Sequence, residues 1–502
     1  MLKRIRIILA TICFVAITLL FLDFTGVIQT YFGWIARLQF LPAVLAGDVL
    51  VIGVTLLMTL IFGRWYCSVI CPMGVMQDIF YVGGLKFRKK HPRKDAANGT
   101  KNRVWLRLSV LVLFVVLMLV GLNWLAILIA PYSAYGRIAS SMFQPVYMWV
   151  NNLFARVAEH YDSYAFYSVD VWLKSGVTLA VAVVTFLVIG FLSWRGGRTW
   201  CNTICPVGTV LGCVAKYSFF KPVIDESKCL ACGKCARNCK ASCINAKDKK
   251  IDYSRCVGCM DCISECNQGA VQYKYVGVKQ TGATTSAAST DTTRRSFILT
   301  TAAVAAASAV KAEEKKVDGG LAVIEDKQIP VRKTPIKPAG SVSVKSFSNH
   351  CTACQLCVSA CPNGVLRPSS ELGTLMQPEM SYERGYCRPE CTQCADVCPA
   401  GAIKHISKEE KINYKIGLAI FVAENCIVNR DGVNCGNCAR HCPAGAINMV
   451  PKNAGEDPEL PLTLKIPTVD ESRCIGCGAC ENLCPSRPFS AIYVEGREDH
   501  LV

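Results

Sequence analysis

Long apolar runs alternate with short basic patches through the first two hundred residues. Residues 7–22 form an apolar run behind Lys3-Arg4-Ile5-Arg6, and further runs cover about 43–63, 104–123 and 171–192. Each is near the ~20 residues needed to cross a hydrocarbon core, so the pattern predicts four transmembrane helices with both ends on one side. The first has the charged flank of a signal peptide, but no small-residue cleavage site follows and more spans do, so it reads as an uncleaved helix. Lys and Arg gather at the N-terminus, in the 86–107 loop and in Trp194-Arg195-Gly196-Gly197-Arg198. By the positive-inside rule these face the cytoplasm, and the loops Asp23–Phe40 and Asn123–Asp170 face outward.

Beyond residue 225 the pattern changes to short segments punctuated by cysteine. The chain is read as a helical membrane part (1–225), a two-cluster ferredoxin domain (226–275), a linker (276–345) and a four-cluster ferredoxin-like domain (346–502). The fold class is therefore multi-domain, an α-helical membrane bundle plus two α+β bacterial-ferredoxin-like iron–sulfur domains. The linker is rich in Thr, Ser, Ala, Lys and Pro and cannot make a core. Within it Asp291-Thr292-Thr293-Arg294-Arg295-Ser296-Phe297-Ile298-Leu299 precedes an alanine-rich stretch to Val310. A twin arginine before a modest apolar run has the form of a Tat export address, here internal and retained as a fifth, weakly apolar span. A basic linker with a short helix is the plainer alternative.

The chemistry lies in 31 cysteines. The C-terminal domain holds Cys351-Cys354-Cys357-Cys361, Cys387-Cys391-Cys394-Cys398, Cys426-Cys435-Cys438-Cys442 and Cys474-Cys477-Cys480-Cys484, each fourth cysteine followed by proline. The 226–275 domain holds Cys229-Cys232-Cys235-Cys239 and Cys256-Cys259-Cys262-Cys266. Three closely spaced thiolates and a distant fourth match the bacterial ferredoxin run, in which the fourth cysteine serves the neighbouring cubane. Six runs predict six [4Fe–4S] clusters. Zinc would leave the third thiol of each run idle, and the short spacings suit cages better than disulfides. In the first module the ligand swap assigns Cys229, Cys232, Cys235 and Cys266 to one cluster, and Cys256, Cys259, Cys262 and Cys239 to the other. Lys240 and Asn267 stand where proline usually follows, and Cys243 is an extra thiol.

Two further motifs follow the second and fourth spans: Gly63-Arg64-Trp65-Tyr66-Cys67-Ser68-Val69-Ile70-Cys71-Pro72-Met73-Gly74 and Arg198-Thr199-Trp200-Cys201-Asn202-Thr203-Ile204-Cys205-Pro206-Val207-Gly208. The repetition predicts helix pairs related by pseudo-symmetry, with four thiols converging at the cytoplasmic face. Metal binding, a redox relay and plain packing are all open to them. In the second outward loop Tyr132, Tyr135 and Arg137 are candidates to border a quinol headgroup, although an interfacial aromatic belt has the same composition. The six histidines all lie outside the predicted spans and no C-x2-C-H run occurs, so no haem is expected. The net charge of +18 falls beside apolar spans rather than in an aromatic-interleaved stripe, which argues against nucleic acid.

These motifs carry a resemblance. Residues 1–275, with C-x3-C-P at Cys67/Cys71 and Cys201/Cys205, resemble NapH, the four-helix membrane subunit of quinol dehydrogenases feeding periplasmic nitrate reductase. Residues from Arg294 onward, with the twin arginine and the widened Cys426–Cys435 spacing, resemble NapG, its exported four-cluster partner. The chain is similar to both fused, although the C-x3-C-P pairs also occur in NosR-, MauN- and CcoG-like proteins. The resemblance implies a quinol dehydrogenase component of anaerobic respiration in the bacterial cytoplasmic membrane. Its first ferredoxin domain would be cytoplasmic and its four-cluster domain periplasmic, passing electrons from the quinone pool to an external partner such as a cytochrome c or a molybdenum reductase. It further implies that the first and fourth C-terminal runs share clusters, as do the second and third. Cys351, Cys354 and Cys357 would then take Cys484, and Cys474, Cys477 and Cys480 would take Cys361. Cys387, Cys391 and Cys394 would take Cys442, and Cys426, Cys435 and Cys438 would take Cys398. The alternatives are a maturation or redox-maintenance factor for a client metalloenzyme, and an electron-transfer adaptor without a quinone site.

Overall fold

The computed structural model describes residues 2–90, 104–163, 165–276, 325–452 and 464–501. The internal twin-arginine segment lies outside the described residues.

Two helices, Leu2–Leu22 and Gly176–Gly196, are long and apolar enough to cross a membrane. At 1.5 Å per residue each runs for about 31 Å. The other two expected spans are shorter. Asp48 accepts the Val51 amide at 3.2 Å and Gly47 takes φ +69°, so the 43–63 run is divided into Phe40–Ala46 and Val49–Phe62. A carboxylate N-cap starts a helix afresh, and only glycine reaches positive φ without strain. The helix Val104–Val120 ends one residue before Gly121, at φ +86°.

The outward faces of these helices are apolar. Ile8 and Ile12 of the first helix, Leu57, Val112 and Leu119 of the shorter ones, and Leu187 and Phe191 of Gly176–Gly196 are all exposed. The interior is different in kind. Ile17, Leu20 and Phe21 pack with Tyr66, Tyr132, Tyr135 and Ile189 in a core that continues into the C-terminal module through Leu356 and Val358.

The first cysteine-rich module is closed by an antiparallel strand pair, Phe220–Ile224 against Val271–Tyr275, with Phe220 opposite Tyr275 and Ile224 opposite Val271. Two one-turn helices, Lys234–Arg237 and Asp261–Glu265, lie between the strands in sequence. The C-terminal module repeats this economy. Lys415–Phe421 pairs with Ile492–Leu501, Ile447–Pro451 with Lys465–Val469, and Leu366–Pro368 with Pro378–Met380. Its short helices Leu356–Ala360, Gln393–Asp396, Asn437–Arg440 and Ala479–Asn482 each contain the third cysteine of a run.

The two modules meet opposite ends of the first helix. Lys3 pairs with Asp261 of the first module at 3.0 Å and donates to Ser264 at 3.1 Å. At the other end Phe21 packs on Tyr132 and Tyr135, and a Cβ on Gly136 would lie 2.1 Å from the carbonyl oxygen of Cys354.

Candidate iron–sulfur centres

One backbone conformation recurs inside the cysteine runs. The residues on either side of the second cysteine adopt positive φ in four of them: Ala231 and Gly233, Gly258 and Met260, Ala353 and Gln355, Gly476 and Gly478. Paired left-handed residues turn successive amide N–H groups into one concavity, an anion-binding nest of the kind found at iron–sulfur sites. Four of the eight are not glycine, and left-handed backbone costs such residues about 1–2 kcal/mol. That cost is paid at the cysteine loops. Further amides donate to sulfur from Ala353 to Cys351 (3.4 Å), Ile403 to Cys398 (3.5 Å), Ala446 to Cys442 (3.3 Å) and Ala491 to Cys484 (3.3 Å).

The thiols gather in sets of four. In the first module Cys229, Cys232, Cys235 and Cys266 form one set, and Cys239, Cys256, Cys259 and Cys262 line a cavity that also holds Cys243, whose sulfur is 3.6 Å from that of Cys239. In the C-terminal module Cys351, Cys354 and Cys357 share a cavity with Cys398, and Cys387, Cys391 and Cys394 share one with Cys361. Cys426, Cys435 and Cys438 meet Cys484, while Cys442 faces Cys474, Cys477 and Cys480. This corrects the pairing implied by resemblance, in which the Cys351, Cys387, Cys426 and Cys474 runs took Cys484, Cys442, Cys398 and Cys361 as their respective fourth ligands. The exchange is between runs adjacent in sequence, first with second and third with fourth. Closing a shorter loop costs less entropy, and each adjacent pair forms its own lobe. Among the described residues no three Cys, His, Asp or Glu side chains close on a single ion. The donor sets and their amide-lined loops fit multinuclear clusters.

The candidate quinol residues are not at an interface. Tyr132, Tyr135 and Arg137 are buried between the first helix and the Cys354 loop. Tyr135 shares a 2.5 Å hydrogen bond with Thr18, and Arg137 donates to the Ile127 and Leu128 carbonyls at 3.3 Å each. The Tyr132 hydroxyl and the Arg137 Nε are buried without a partner.

Comparison with known proteins agrees with this division. A 4Fe–4S dicluster family model matches residues 350–403, with all eight cysteines of the first two C-terminal runs, and again 433–487, with those of the last two runs except Cys426. A 4Fe–4S binding domain model matches 45–92 and 177–224, around the two C-x3-C-P motifs. A second dicluster model matches 252–365, taking its cysteines from both modules. The methylamine utilization ferredoxin-type protein MauM of Methylobacillus flagellatus is 30% identical over 168 residues, 33% of this chain and 70% of that protein. The chain belongs to the MauM family of ferredoxin-type proteins. It is an iron–sulfur electron-transfer protein, also similar to ferredoxin-type protein NapG of Escherichia coli (32% identity, 30% of this chain and 65% of that protein). The putative electron transport protein YccM of Escherichia coli is 26% identical over 40% of this chain and 47% of its own length. No solved structure matches.

The structure adds members that sequence reasoning missed in this family's site. Lys411 is buried and donates to the Cys387 sulfur at 3.3 Å, to the Arg388 carbonyl at 2.7 Å and to the Cys391 carbonyl. It lies on Lys408–Asn413, a helix started by a Ser407/Glu410 capping box. The capping box is legible in sequence, but nothing near Lys411 points to a cysteine. Asp78 is a second. Its carboxylate meets Arg198 (2.9 Å), Arg6 (3.3 Å) and Lys240 (3.3 Å), and Lys240 also meets Asp261 at 3.2 Å. Burial alone would raise the Asp78 carboxyl, but Arg198, with Lys240 and Arg6, holds it well below the usual range. Lys240, where a proline was expected, is one of the residues that fasten the first module to the helices.

Proposed function

We propose that the protein is a membrane-anchored quinol dehydrogenase module that passes electrons through six [4Fe–4S] clusters to an external redox partner. The observation that carries it is the placement of two cysteine-rich modules at opposite ends of a ~31 Å apolar helix whose outward face stays exposed. In a soluble protein that helix would be buried; only 28% of its apolar window is, and 22% of that in Gly176–Gly196. Lipid supplies the missing cover.

Each of the six thiol sets would hold one cluster, which supplies one-electron redox chemistry when bound. The amide nests orient the sulfurs and supply N–H dipoles, Lys411 adds a cation at one set, and burial excludes water. The Tyr132 hydroxyl, without a partner and beside the Cys351/Cys354/Cys357/Cys398 set, is the donor offered to a quinol oxygen. With the first module cytoplasmic, the C-terminal module is periplasmic. NapG-like kinship supports a periplasmic reductase as acceptor.

The test is anaerobic. Menaquinol analogue added to the intact protein should bleach the cluster absorbance, and Tyr132→Phe should slow bleaching at least tenfold while leaving dithionite reduction unchanged. Clusters that dithionite reduces but quinol does not would exclude the reading and favour a maturation factor.

A further inference from the structure

Five thiols line a cavity that four would complete. Cys239, Cys256, Cys259 and Cys262 make up the set, and Cys243 is the fifth, 4% exposed, with its sulfur 3.6 Å from that of Cys239 and within hydrogen-bond reach of that of Cys256. It stands outside every segment that the family models match. Free cysteines are commonly buried as small hydrophobes, and packing is the plainer role.

The other runs show what packing alone requires. Four residues after the last cysteine of a run the chain has Ala270, Val365, Ala402 and Ala446, all buried, each preceded by a glycine of positive φ: Gly269 (+60°), Gly364 (+61°), Gly401 (+66°) and Gly445 (+56°). In the Cys229 run the glycine is replaced by Ser242, at φ +49°, and the alkyl residue by Cys243. The turn is the same, although serine enters the left-handed region less readily than glycine. The fold therefore needs only a small alkyl group at this place. Of the five runs that make the turn, this one supplies a thiol, whose thiolate is a metal ligand by its chemistry.

The Cys239 and Cys243 sulfurs are held from different sides. Beyond Cys239 the Lys240 carbonyl accepts the Arg198 amide at 2.8 Å, the Ala241 carbonyl accepts Asn202 Nδ2 at 3.2 Å, and the Lys240 ammonium meets Asp78. Arg198 and Asn202 belong to the second C-x3-C-P motif, whose Cys201 and Cys205 are buried beside Cys67 and Cys71 of the first; Arg64 donates to the Cys201 carbonyl at 3.2 Å, and Arg198 to that of Cys67. Cys239 is thus tied to the helices. Cys243 is tied to its own module: its carbonyl accepts the Asp252 amide at 2.8 Å, and Ile244, next in the chain, pairs with Ile251.

We propose that Cys243 is an alternative ligand of the cluster held by this set, able to take the place of Cys239 or Cys256. The assignment rests on the reading that the set holds a [4Fe–4S] cluster. The exchange balances without an oxidant. One iron–sulfur bond breaks and one forms, and the proton of the entering thiol passes to the leaving sulfur, 3.6 Å away in the case of Cys239. A shift of the helices that draws Cys239 back then leaves the cluster with four thiolates.

Native mass spectrometry of the anaerobically purified full-length chain tests this through its iron and sulfide count. Cys239→Ala, Cys256→Ala and Cys243→Ala, each made singly, should keep the count of the unmodified protein. Cys259→Ala, the control, should lose iron, and so should Cys239→Ala combined with Cys243→Ala. Loss in Cys239→Ala equal to that in the combined variant would overturn the proposal, as would retention of iron in the combined variant when the control loses it. If Cys239→Ala fails to accumulate, Cys256→Ala decides on the same count: iron retained supports Cys243 as ligand, and iron lost as in the control overturns it. A count that none of these variants alters, the control included, would show that the set holds no cluster, and would overturn the underlying reading together with the proposal.

Discussion

The module at 220–276 meets the helices through a buried charge network, whereas the module at 325–501 meets the helical part through close packing, with one exposed ion pair between Arg384 and Asp170. At the first contact Asp78 and Asp261 bind Lys3, Arg6, Arg198 and Lys240, and the Arg107 guanidinium donates to the hydroxyl and the carbonyl of Ser254. At the second, Gly136 abuts the Cys354 carbonyl, Ile127 packs with Ala353 and Met376, and Arg367 and Arg384 lie over the Trp172 ring at 4.7 Å each. The difference teaches that one cluster-binding unit can be fastened in two ways, and that each way fails under its own stress. A buried ion network fails when one member is removed and leaves the rest uncompensated. A packed contact fails when volume is added.

The largest effect is expected from Asp78→Ala, which leaves Arg198 and Arg6 without their carboxylate in a buried site and Lys240 with Asp261 alone. Loss of one partner of such a network costs about 3–5 kcal/mol. Limited proteolysis of the holoprotein should release the first module while the C-terminal module stays protected; equal loss of both would break the comparison.

Acid should act the other way. His500 packs edge-on against Tyr414 at 5.6 Å, and burial pushes its imidazole down to about 4. The folded protein therefore binds fewer protons than the unfolded chain between about pH 6.5 and 4. Its contribution is complete above the unfolded value and is lost as pH falls through that window, up to about 3 kcal/mol. Asp78 and Asp261 remain ionised there, because nearby cations hold both below the usual carboxylate range against the opposing effect of burial. Hydrogen exchange should show the C-terminal strands Lys415–Phe421 and Ile492–Leu501 losing protection from pH 7 to 4.5 before the first module does. In His500→Gln that loss should shrink.

Gly136→Val adds volume at the packed contact. Overpacking of this kind costs about 1–3 kcal/mol, and exchange protection should fall in Leu356–Ala360 with no change at Asp261–Glu265. Protection retained in both would mean that Phe21 and Tyr132, not Gly136, set the approach.

The comparison also marks what could be read from the chain. The six cysteine runs, the first module's exchange of Cys239 and Cys266 and the convergence of the two C-x3-C-P motifs are local patterns with fixed spacing, and spacing is what a sequence displays. The C-terminal partners of Cys361, Cys398, Cys442 and Cys484 were not legible, because all four runs share one spacing pattern and only the folding of adjacent runs into separate lobes decides which exchange a cysteine. Lys240 read as a missing proline, yet its role is a contact with Asp78 and Asp261 from other elements. The apolar runs gave the helices but not their ends, which Asp48, Gly47 and Gly121 decide locally.

The same comparison can be drawn inside the cysteine loops. Both runs of the first module carry the paired left-handed residues; in the C-terminal module only the Cys351 and Cys474 runs do. The Cys387 run has an extra residue between its first two cysteines, and at that place the Lys411 ammonium takes the position of a donor, contacting the Cys387 sulfur. A nest of neutral amides and a full cation differ in how strongly they favour the reduced, more negative cluster. The cation favours it more, so the Cys361/Cys387/Cys391/Cys394 cluster should have the higher potential of its lobe. Lys411→Met should lower that midpoint by about 60 mV, the one-electron equivalent of about 1.4 kcal/mol. Potentiometric titration followed by electron paramagnetic resonance should find one cluster moved and the others in place. If no midpoint moves, Lys411 serves the carbonyls of Arg388 and Cys391 alone, and the widened run is then held by its fold rather than tuned by its charge.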